Sequence, residues 1–199
     1  RGVFYPEDHP LYNQETVEIK FMTAKEEDIL SSTALIKKGL VLDRLLESLI
    51  IADIDASTLI SGDRSAIMIA SRISAYGKNY EAEVRCPACY KTMQHTFDLE
   101  KSNMKQECFD EDFLVDNDVY FNKENDSYEL VLPVSGVKVG VKPPTGKLEN
   151  KIVANVGEEK QVTTVIYNIL YSVKGETDRR FIKDFVLTLP AGDSKYIRK

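Results

Sequence analysis

The feature that most constrains the fold of this chain is a change of hydrophobic period at Tyr80. Before this residue, apolar side chains recur at helical spacing, whereas Tyr80–Arg85 alternates between polar and apolar residues. The alternation runs directly into Cys86-Pro-Ala-Cys89, and a second strand-like segment, Met93 to Leu99, follows. The pattern predicts a β-hairpin with a C-x2-C knuckle at its tip, placed after a helical region.

Three helices are predicted before this hairpin. Thr23 and Glu26 have the spacing of a capping box, which predicts a helix from Thr23 to about Lys38 that ends at Gly39. Two further helices are predicted from apolar stripes, which comprise Leu42, Leu45, Leu46 and Leu49 in one and Ala66, Ile69, Ala70 and Ile73 in the other. The Ser61-Gly62-Asp63-Arg64 stretch is the predicted start of the third helix, with Ser61 or Asp63 as its cap.

The sequence after the hairpin predicts more strands and then more helices. Strand-like segments occupy 119–121, 128–132 and 137–142. Helical sequence opens at Thr145-Gly146 and continues in the segments 162–173 and 179–187. Asp193 is the predicted N-cap of a final helix.

The predicted fold class is α+β, with an N-terminal helical unit, a central β-hairpin with the C-x2-C knuckle and further strands, and C-terminal helices. Four segments are expected within one composite domain: an extended arm (1–20), a helical part (21–78), a β part with the knuckle (79–144) and a second helical part (145–199). The arm includes a short predicted strand at 17–21. It is interpreted either as a docking segment or as a poorly ordered terminus.

Charge and hydropathy exclude several classes of function. The net charge is -6, and no Lys/Arg cluster is interleaved with aromatic residues, which argues against a general nucleic-acid binder. No apolar run approaches the roughly 20 residues that span a bilayer, and no basic-then-apolar leader opens the sequence. Three cysteines with one C-x2-C pair suit a reducing compartment. We therefore expect an intracellular protein with no membrane and no nucleic-acid partner.

Cys86 and Cys89 are candidate zinc ligands, because two thiolates separated by two residues can face one ion across a tight turn. A structural site usually needs four ligands, and His95 and Cys108 are the weaker candidates for the other two. The alternatives are a knuckle that serves only as a turn, and a redox pair. The redox reading is disfavoured because the cysteines do not open a helix after a strand.

The sequence shows no constellation that predicts an enzyme. It lacks a phosphate-binding loop, a nucleophile elbow and a dinucleotide fingerprint, and it has two histidines, His9 and His95. A metal-assisted hydrolase would need a base near the metal. Only His95 and Glu83 lie near the cysteines in sequence, and we predict a protein without catalytic activity.

Several short motifs follow one another in an order that is more specific than any one of them. They are Phe21–Leu30, Gly39–Leu46, Leu59–Ile67, Arg72–Gly77, the Tyr80–Cys89 segment, Val173–Asp178 and Leu189–Ser194. Together they resemble the baseplate hub subunit family of T-even-like contractile-tailed bacteriophages, which also includes the hub assembly catalyst. The resemblance covers residues 20–198.

This resemblance implies a structural component of the tail baseplate, in its hub region, that acts through contacts with other baseplate and hub proteins. Its expected location is the baseplate of the virion tail, and the host cytoplasm during assembly. An alternative within the family is a chaperone-like catalyst that helps the hub form and then leaves. We expect the partner contacts to come from the arm and from the β segment 117–142, with Tyr120, Phe121 and Tyr128 exposed.

The resemblance also bears on the metal. Members of the family carry a second C-x2-C after the final helix, so it implies further zinc ligands beyond Lys199. An alternative of a different class stays open, namely a zinc-ribbon module that binds nucleic acid or a polymerase. The C-x2-C knuckle favours this alternative, and the acidic charge of the chain opposes it.

Overall fold

The fold was obtained as a computed structural model, which describes residues 5–101, 114–115, 118–155 and 162–198. The chain divides into two compact units, Arg1–Gln106 and Glu107–Lys199. Each unit combines helices with an antiparallel sheet, so the predicted α+β class is confirmed. None of the helices within the described ranges has the length and apolar character needed to cross a membrane.

The first unit is helical up to its hairpin. Its elements are α1 (Ala24–Ser31), α2 (Thr33–Lys38), α3 (Val41–Leu49), a 3-10 turn (Ala56–Thr58), α4 (Ser61–Tyr76), β1 (Asn79–Arg85), β2 (Thr92–Asp98) and a second 3-10 turn (Leu99–Lys101). These elements place a helical core directly before a two-stranded ribbon.

The predicted capping box opens α1, but the helix is shorter than predicted. The Glu26 carboxylate accepts hydrogen bonds from the backbone N–H of Thr23 at 2.8 Å and from its hydroxyl at 2.6 Å. The predicted single helix to Lys38 is wrong, because Ser32 adopts an extended conformation that ends α1. The Ser32 hydroxyl then accepts from the backbone N–H of Leu35 and caps α2. Serine competes with the helical backbone in this way and often marks a helix boundary.

The core of the first unit lies under α3. Leu45, Leu46 and Leu49 of the predicted stripe are buried, while Leu42 at its start is exposed. The buried residues that pack together in this core are Tyr5, Leu11, Leu46, Ile50, Ile54, Ala56, Leu59 and Ile67. Because these residues come from well-separated parts of the unit, the core joins its N-terminal segment to α3 and α4.

The predicted helix α4 is present, but its most buried face differs from the predicted apolar stripe. The residues that α4 buries are Arg64, Ile67 and Ser71. Two of them are polar, and their polar groups are satisfied inside the unit. Arg64 donates to the Ala56 carbonyl at 2.7 Å and pairs with Asp43, while the Ser71 hydroxyl donates to the Ile67 carbonyl. A stripe of apolar residues alone does not reveal a helix face that is buried through paired polar groups.

The N-terminal segment packs on this core and is not a free arm. Tyr5 and Leu11 are each 5% exposed. The predicted strand at 17–21 is reduced to a single antiparallel bridge between Ile19 and Ile50. Removal of this segment would therefore expose core surface, so from Tyr5 onward it is not a poorly ordered terminus.

The second unit contains a four-stranded antiparallel sheet in the order β3-β4-β5-β6. Its elements are β3 (Val119–Asn122), β4 (Ser127–Val131), β5 (Lys138–Val141), α5 (Gly146–Asn155), α6 (Val162–Ile169), β6 (Leu170–Val173), α7 (Arg179–Thr188) and α8 (Ala191–Ile197). The first three strands and α7 match the predicted segments closely. The buried residues between sheet and helices are Leu132, Val139, Ile166, Leu170, Val173, Ile182 and Val186.

The predicted helix over 162–173 is wrong in its last turn. The helix ends at Ile169, and Leu170–Val173 forms β6, which pairs with β5. Leu170 and Val173, which the sequence predicts within the helix, are buried as strand residues. A short apolar run is compatible with a buried helix or a buried strand, and only the neighbouring β5 decides between them.

Asp193 is not the N-cap of the last helix. Pro190 occupies the cap position of α8, and Asp193 lies inside the first turn. Its side chain is fully buried and accepts hydrogen bonds from the backbone N–H groups of Val134 and Ser135 at 2.8 and 2.9 Å. The carboxylate therefore fixes the turn between β4 and β5 against α8.

Candidate functional site: the exposed hairpin and its thiol tip

The β1–β2 hairpin has two chemically different faces. Its strands pair antiparallel from Asn79 opposite Asp98 to Arg85 opposite Thr92. Successive side chains of a strand point to opposite faces. One face is mainly apolar, with Tyr80, Ala82, Val84, Met93, His95 and Phe97. The other face is polar, with Glu81, Glu83, Arg85, Thr92, Gln94 and Thr96.

The apolar face of the hairpin lies open to solvent. Tyr80 is 45% exposed, Met93 50% and Phe97 42%. Among the described residues, β1 and β2 form a sheet of their own with no third strand. An isolated two-stranded ribbon is only marginally stable in water. A ribbon that shows an apolar face without a cover is a candidate interaction surface.

The base of the hairpin is anchored to the first unit. The Arg72 guanidinium of α4 lies over the rings of Tyr76 and Tyr80, at 4.9 and 5.7 Å from their centroids. Lys78 pairs with Glu100 across the base at 3.2 Å. These contacts position the base of the ribbon against α4.

The tip of the hairpin holds Cys86 and Cys89 in a tight turn. The Cys86 N–H donates to the Lys91 carbonyl at 2.9 Å, and the Tyr90 N–H donates to the Cys86 carbonyl at 2.8 Å. Tyr90 has a φ of 58°, a left-handed conformation that is uncommon for a residue with a side chain. The Arg85 guanidinium stacks over the Tyr90 ring and donates to its carbonyl. These contacts fix the knuckle around the two thiols.

The turn lowers the pKa of the Cys86 thiol. The causes are hydrogen bonds from the backbone N–H of Cys89, then from the backbone N–H of Ala88, and then from the Cys89 side chain. Donors directed at sulfur favour the thiolate, which is the form that binds a metal. Cys89 is exposed and Cys86 is half-buried, so both sulfurs can be reached from outside.

Of the three predicted ligands that the structure describes, it brings together two, Cys86 and Cys89. His95 pairs with Ala82, four residues along β1 from Cys86, which corresponds to roughly 13 Å in a strand. Its ring contacts Phe97 edge-on at 4.5 Å. Cys108 lies outside the described residues. Within the described ranges, no group of three or more His, Cys, Asp or Glu residues could hold a metal ion. The knuckle thus places two thiols close together, whereas a structural zinc site usually has four ligands.

A second exposed surface lies at the β3 edge of the four-stranded sheet. Tyr120 is 57% exposed and Phe121 40% exposed. Tyr128, which was also expected to be exposed, is half-buried against Phe121, with ring centroids 5.0 Å apart. Burial, together with the charge of Asp126, raises the pKa of Tyr128 to about 12. This edge adds to the candidate contact surface that the sequence predicts within 117–142.

Sequence reasoning missed the polar cluster that holds the N-terminal segment. The Tyr5 hydroxyl donates to Asp63 at 2.7 Å and accepts from the Ile60 N–H at 3.1 Å. The His9 ring stacks on Tyr5 with centroids 4.2 Å apart, and its Nε2 lies 2.9 Å from the Thr58 hydroxyl. Tyr5 and His9, two aromatic residues four positions apart, were the available signal, but Pro6 and Pro10 are more typical of an extended arm.

The comparisons with known proteins give one family. The family described as T4 bacteriophage base plate protein matches residues 7–173, which is most of the chain. No curated protein and no solved structure matches the chain significantly. The match spans both units, including the hairpin and the four-stranded sheet. The chain therefore belongs to the T4 bacteriophage base plate protein family.

Proposed function

We propose that this protein is a structural component of the hub region of a contractile phage tail baseplate, and that it acts through protein–protein contacts. The family membership supports the assignment to a phage baseplate. The exposed apolar face of the β1–β2 hairpin is the observation that supports the mode of action. Large apolar surfaces with polar surroundings are typical of protein interfaces.

The hairpin is suited to contact because side chains from both strands, from its base to near its tip, lie on one face. Tyr80, Met93 and Phe97 are residue types that are enriched at protein interfaces. Burying them in a partner would supply the cover that this ribbon lacks among the described residues. The β3 edge, with Tyr120 and Phe121, supplies a second aromatic contact in the other unit.

The surroundings of the two histidines support a role without catalysis. His9 Nδ1 accepts from the Leu11 N–H, so Nε2 carries the proton and donates to the Thr58 hydroxyl. The Thr58 hydroxyl proton is directed at the Asp55 carbonyl at 2.7 Å. His9 is thus held in a structural hydrogen-bond network and does not activate Thr58. His95 packs against Phe97 on the hairpin face.

The proposed partners are other baseplate and hub proteins, and the proposed location is the baseplate of the virion tail. A second role within the same family is an assembly factor that contacts the hub in the host cytoplasm and leaves before the particle is complete. Both roles use the same apolar face. They differ in whether the contact persists in the finished tail.

We also propose that Cys86 and Cys89 supply two ligands of a structural zinc site. The N–H groups that point at the Cys86 sulfur suit a bound thiolate. A zinc ion would cross-link the hairpin tip to the segment that supplies its other two ligands, and such a link stabilises folding.

Complementation of a phage that lacks this protein tests the contact surface. Met93→Ser with Phe97→Ser removes apolar side chains from the exposed face, and we expect fewer infectious particles. The matched control, Thr92→Ser with Gln94→Ser, changes the polar face of the same strand and should leave infectivity unchanged. Equal infectivity for both pairs, with equal protein levels, would reject the apolar face as the contact surface.

A further inference from the structure

The two edges of the β1–β2 hairpin differ in charge. Each strand of a two-stranded ribbon has one unpaired edge, and exposed edges are templates for another strand. Charged residues on an edge strand discourage such pairing. β1 carries Glu81 and Glu83 in the middle of its edge, whereas β2 carries no charged side chain from Thr92 to Phe97 apart from the titratable His95. The protected edge is therefore β1, and the edge that can accept a strand is β2.

Among the described residues, the hydrogen-bond pattern shows which backbone groups of β2 do not bond to β1. At the base the Leu99 N–H donates to the Lys78 carbonyl, and at the tip the Cys86 N–H donates to the Lys91 carbonyl. Hydrogen-bonded pairs alternate along an antiparallel ladder. The odd-numbered residues of β2 therefore bond to β1. The groups that point away from the hairpin belong to Thr92, Gln94, Thr96 and Asp98, and all residues from Thr92 to Phe97 are exposed.

We infer that this edge pairs with β2 of a second copy of the chain, in an antiparallel arrangement whose two-fold axis passes through His95. In this register Gln94 bonds to Thr96 of the second copy, and the outward-pointing groups of both strands face each other. The full length from Thr92 to Asp98 is paired. The result is a four-stranded sheet made from two hairpins.

The side chains favour a second copy over a strand of different composition. Met93 lies opposite Phe97 of the second copy, which is a favourable sulfur–aromatic pair. Gln94 lies opposite Thr96, so no like charges meet within the paired strands. His95 meets its own copy at the axis. If β1 instead paired with β1 of a second copy about a two-fold axis through Ala82, Glu81 would lie opposite Glu83. Like charges directly opposite each other are destabilising.

The inferred dimer is compatible with the proposed contact surface and does not depend on it. Pairing uses the edge of β2, while the apolar face stays open. In the dimer the two apolar faces would join into one larger surface with the side chains of both hairpins. A failure of the baseplate role would leave the dimer testable with the purified chain alone.

Charge variants of the full chain test the register directly. Gln94→Lys with Thr96→Lys places lysines opposite each other twice across the axis, and Gln94→Glu with Thr96→Glu does the same with carboxylates. We expect the glutamate variant, whose carboxylates also face Glu81 and Glu83 in its own hairpin, to dimerise at least about tenfold more weakly than the wild type. The lysine variant should be weakened less, because the same two glutamates partly neutralise its charges. An equimolar mixture of the two variants should restore association, because unlike charges then face each other across the axis.

The matched control is Glu81→Lys with Glu83→Lys, which changes the polar face of β1 and should leave association as in the wild type. Sedimentation velocity under reducing conditions gives the dimerisation constants, and circular dichroism shows whether each variant is folded. A wild type that stays monomeric at all concentrations would overturn the inference, even if β2 then bound a different baseplate protein. Dimers that both charge variants leave unchanged would also overturn it.

Discussion

At the scale of single residues, several buried carboxylates connect secondary-structure elements through hydrogen bonds or ion pairs. Asp193 connects α8 to the β4–β5 turn through the Val134 and Ser135 N–H groups. Burial raises the pKa of Asp193, but the hydrogen bonds from Ser135 and Val134 outweigh this effect, and the pKa lies below its usual range. The charged carboxylate is thus the form that the folded unit requires.

Asp193→Asn should destabilise the second unit. The amide can accept from one of the two N–H groups, but its NH2 group faces the other donor. Leaving a buried donor without a partner costs about 1–3 kcal/mol. Urea unfolding followed by circular dichroism measures the change, with exposed Asp184→Asn as the control. Equal urea midpoints for the two variants would contradict a stabilising role for the Asp193 hydrogen bonds.

Glu26 makes the first unit sensitive to acid. Hydrogen bonds from the Ser48 hydroxyl, then from the hydroxyl and backbone N–H of Thr23, lower its pKa from 4.5 to about 2. Because the folded state holds the carboxylate more strongly than the unfolded state, this stabilisation is complete above about pH 4.5. It is lost as the pH falls from 4.5 towards 2.

Glu26→Gln should therefore remove part of the acid sensitivity. We expect the wild type to lose more unfolding free energy than the variant between neutral pH and about pH 2.5, within the window set by this shift. The measurement is thermal unfolding at a series of pH values. Glu7→Gln, at an exposed position, is the control. Parallel stability curves for wild type and Glu26→Gln would contradict the assignment.

At the scale of elements, sequence patterns predicted strands and helix starts better than helix faces and ends. The Thr23 capping box and the alternation into the Cys86 knuckle depend on neighbours in sequence, so the chain itself displays them. The end of α6 depends on pairing with β5, which lies distant in sequence. The buried face of α4 depends on an ion pair between Arg64 and Asp43, which an apolar stripe does not display.

The candidate site shows the same limits. The alternation predicted the hairpin, and the C-x2-C spacing predicted its thiol tip. The exposure of the apolar face was not predictable, because alternation shows which side chains share a face but not whether another element covers it. The separation of His95 from Cys86 follows from the strand register, in which His95 pairs with Ala82. The sequence alone does not determine this register.

The N-terminal segment is expected to behave as part of the first unit's core. Tyr5→Phe removes the hydroxyl that joins Asp63 to the Ile60 N–H, and we expect a loss of about 1–2 kcal/mol in unfolding free energy. Tyr12→Phe is the matched control, since Tyr12 is 40% exposed. Denaturant unfolding compares the two. If Tyr5→Phe unfolds like Tyr12→Phe, the segment does not contribute as described.

The zinc proposal predicts that zinc binding requires Cys86 and Cys89. Purified wild-type protein should contain zinc, and a chelator should lower its Tm. The double variant Cys86→Ser with Cys89→Ser should contain no zinc, and its Tm should not respond to the chelator. Elemental analysis and thermal unfolding provide both readouts. Metal-free wild-type protein with the same stability as the double variant would retire the proposal and leave the knuckle as a turn.

At the scale of the whole molecule, two units offer different surfaces to the tail. The first unit presents the β1–β2 hairpin, with an apolar face and an unprotected edge on β2. The second unit presents the β3 edge with its exposed aromatic residues. Under the proposed function, the two exposed surfaces would allow the chain to contact more than one neighbour.

The presence of the protein in finished particles tests the central claim most directly. Quantitative mass spectrometry of purified tails would measure its copy number relative to a known tail protein. We predict a small, fixed copy number in every preparation, as for a structural part of the baseplate. Absence from purified tails, with abundant protein in infected-cell lysate, would contradict the structural role and assign the chain to assembly alone.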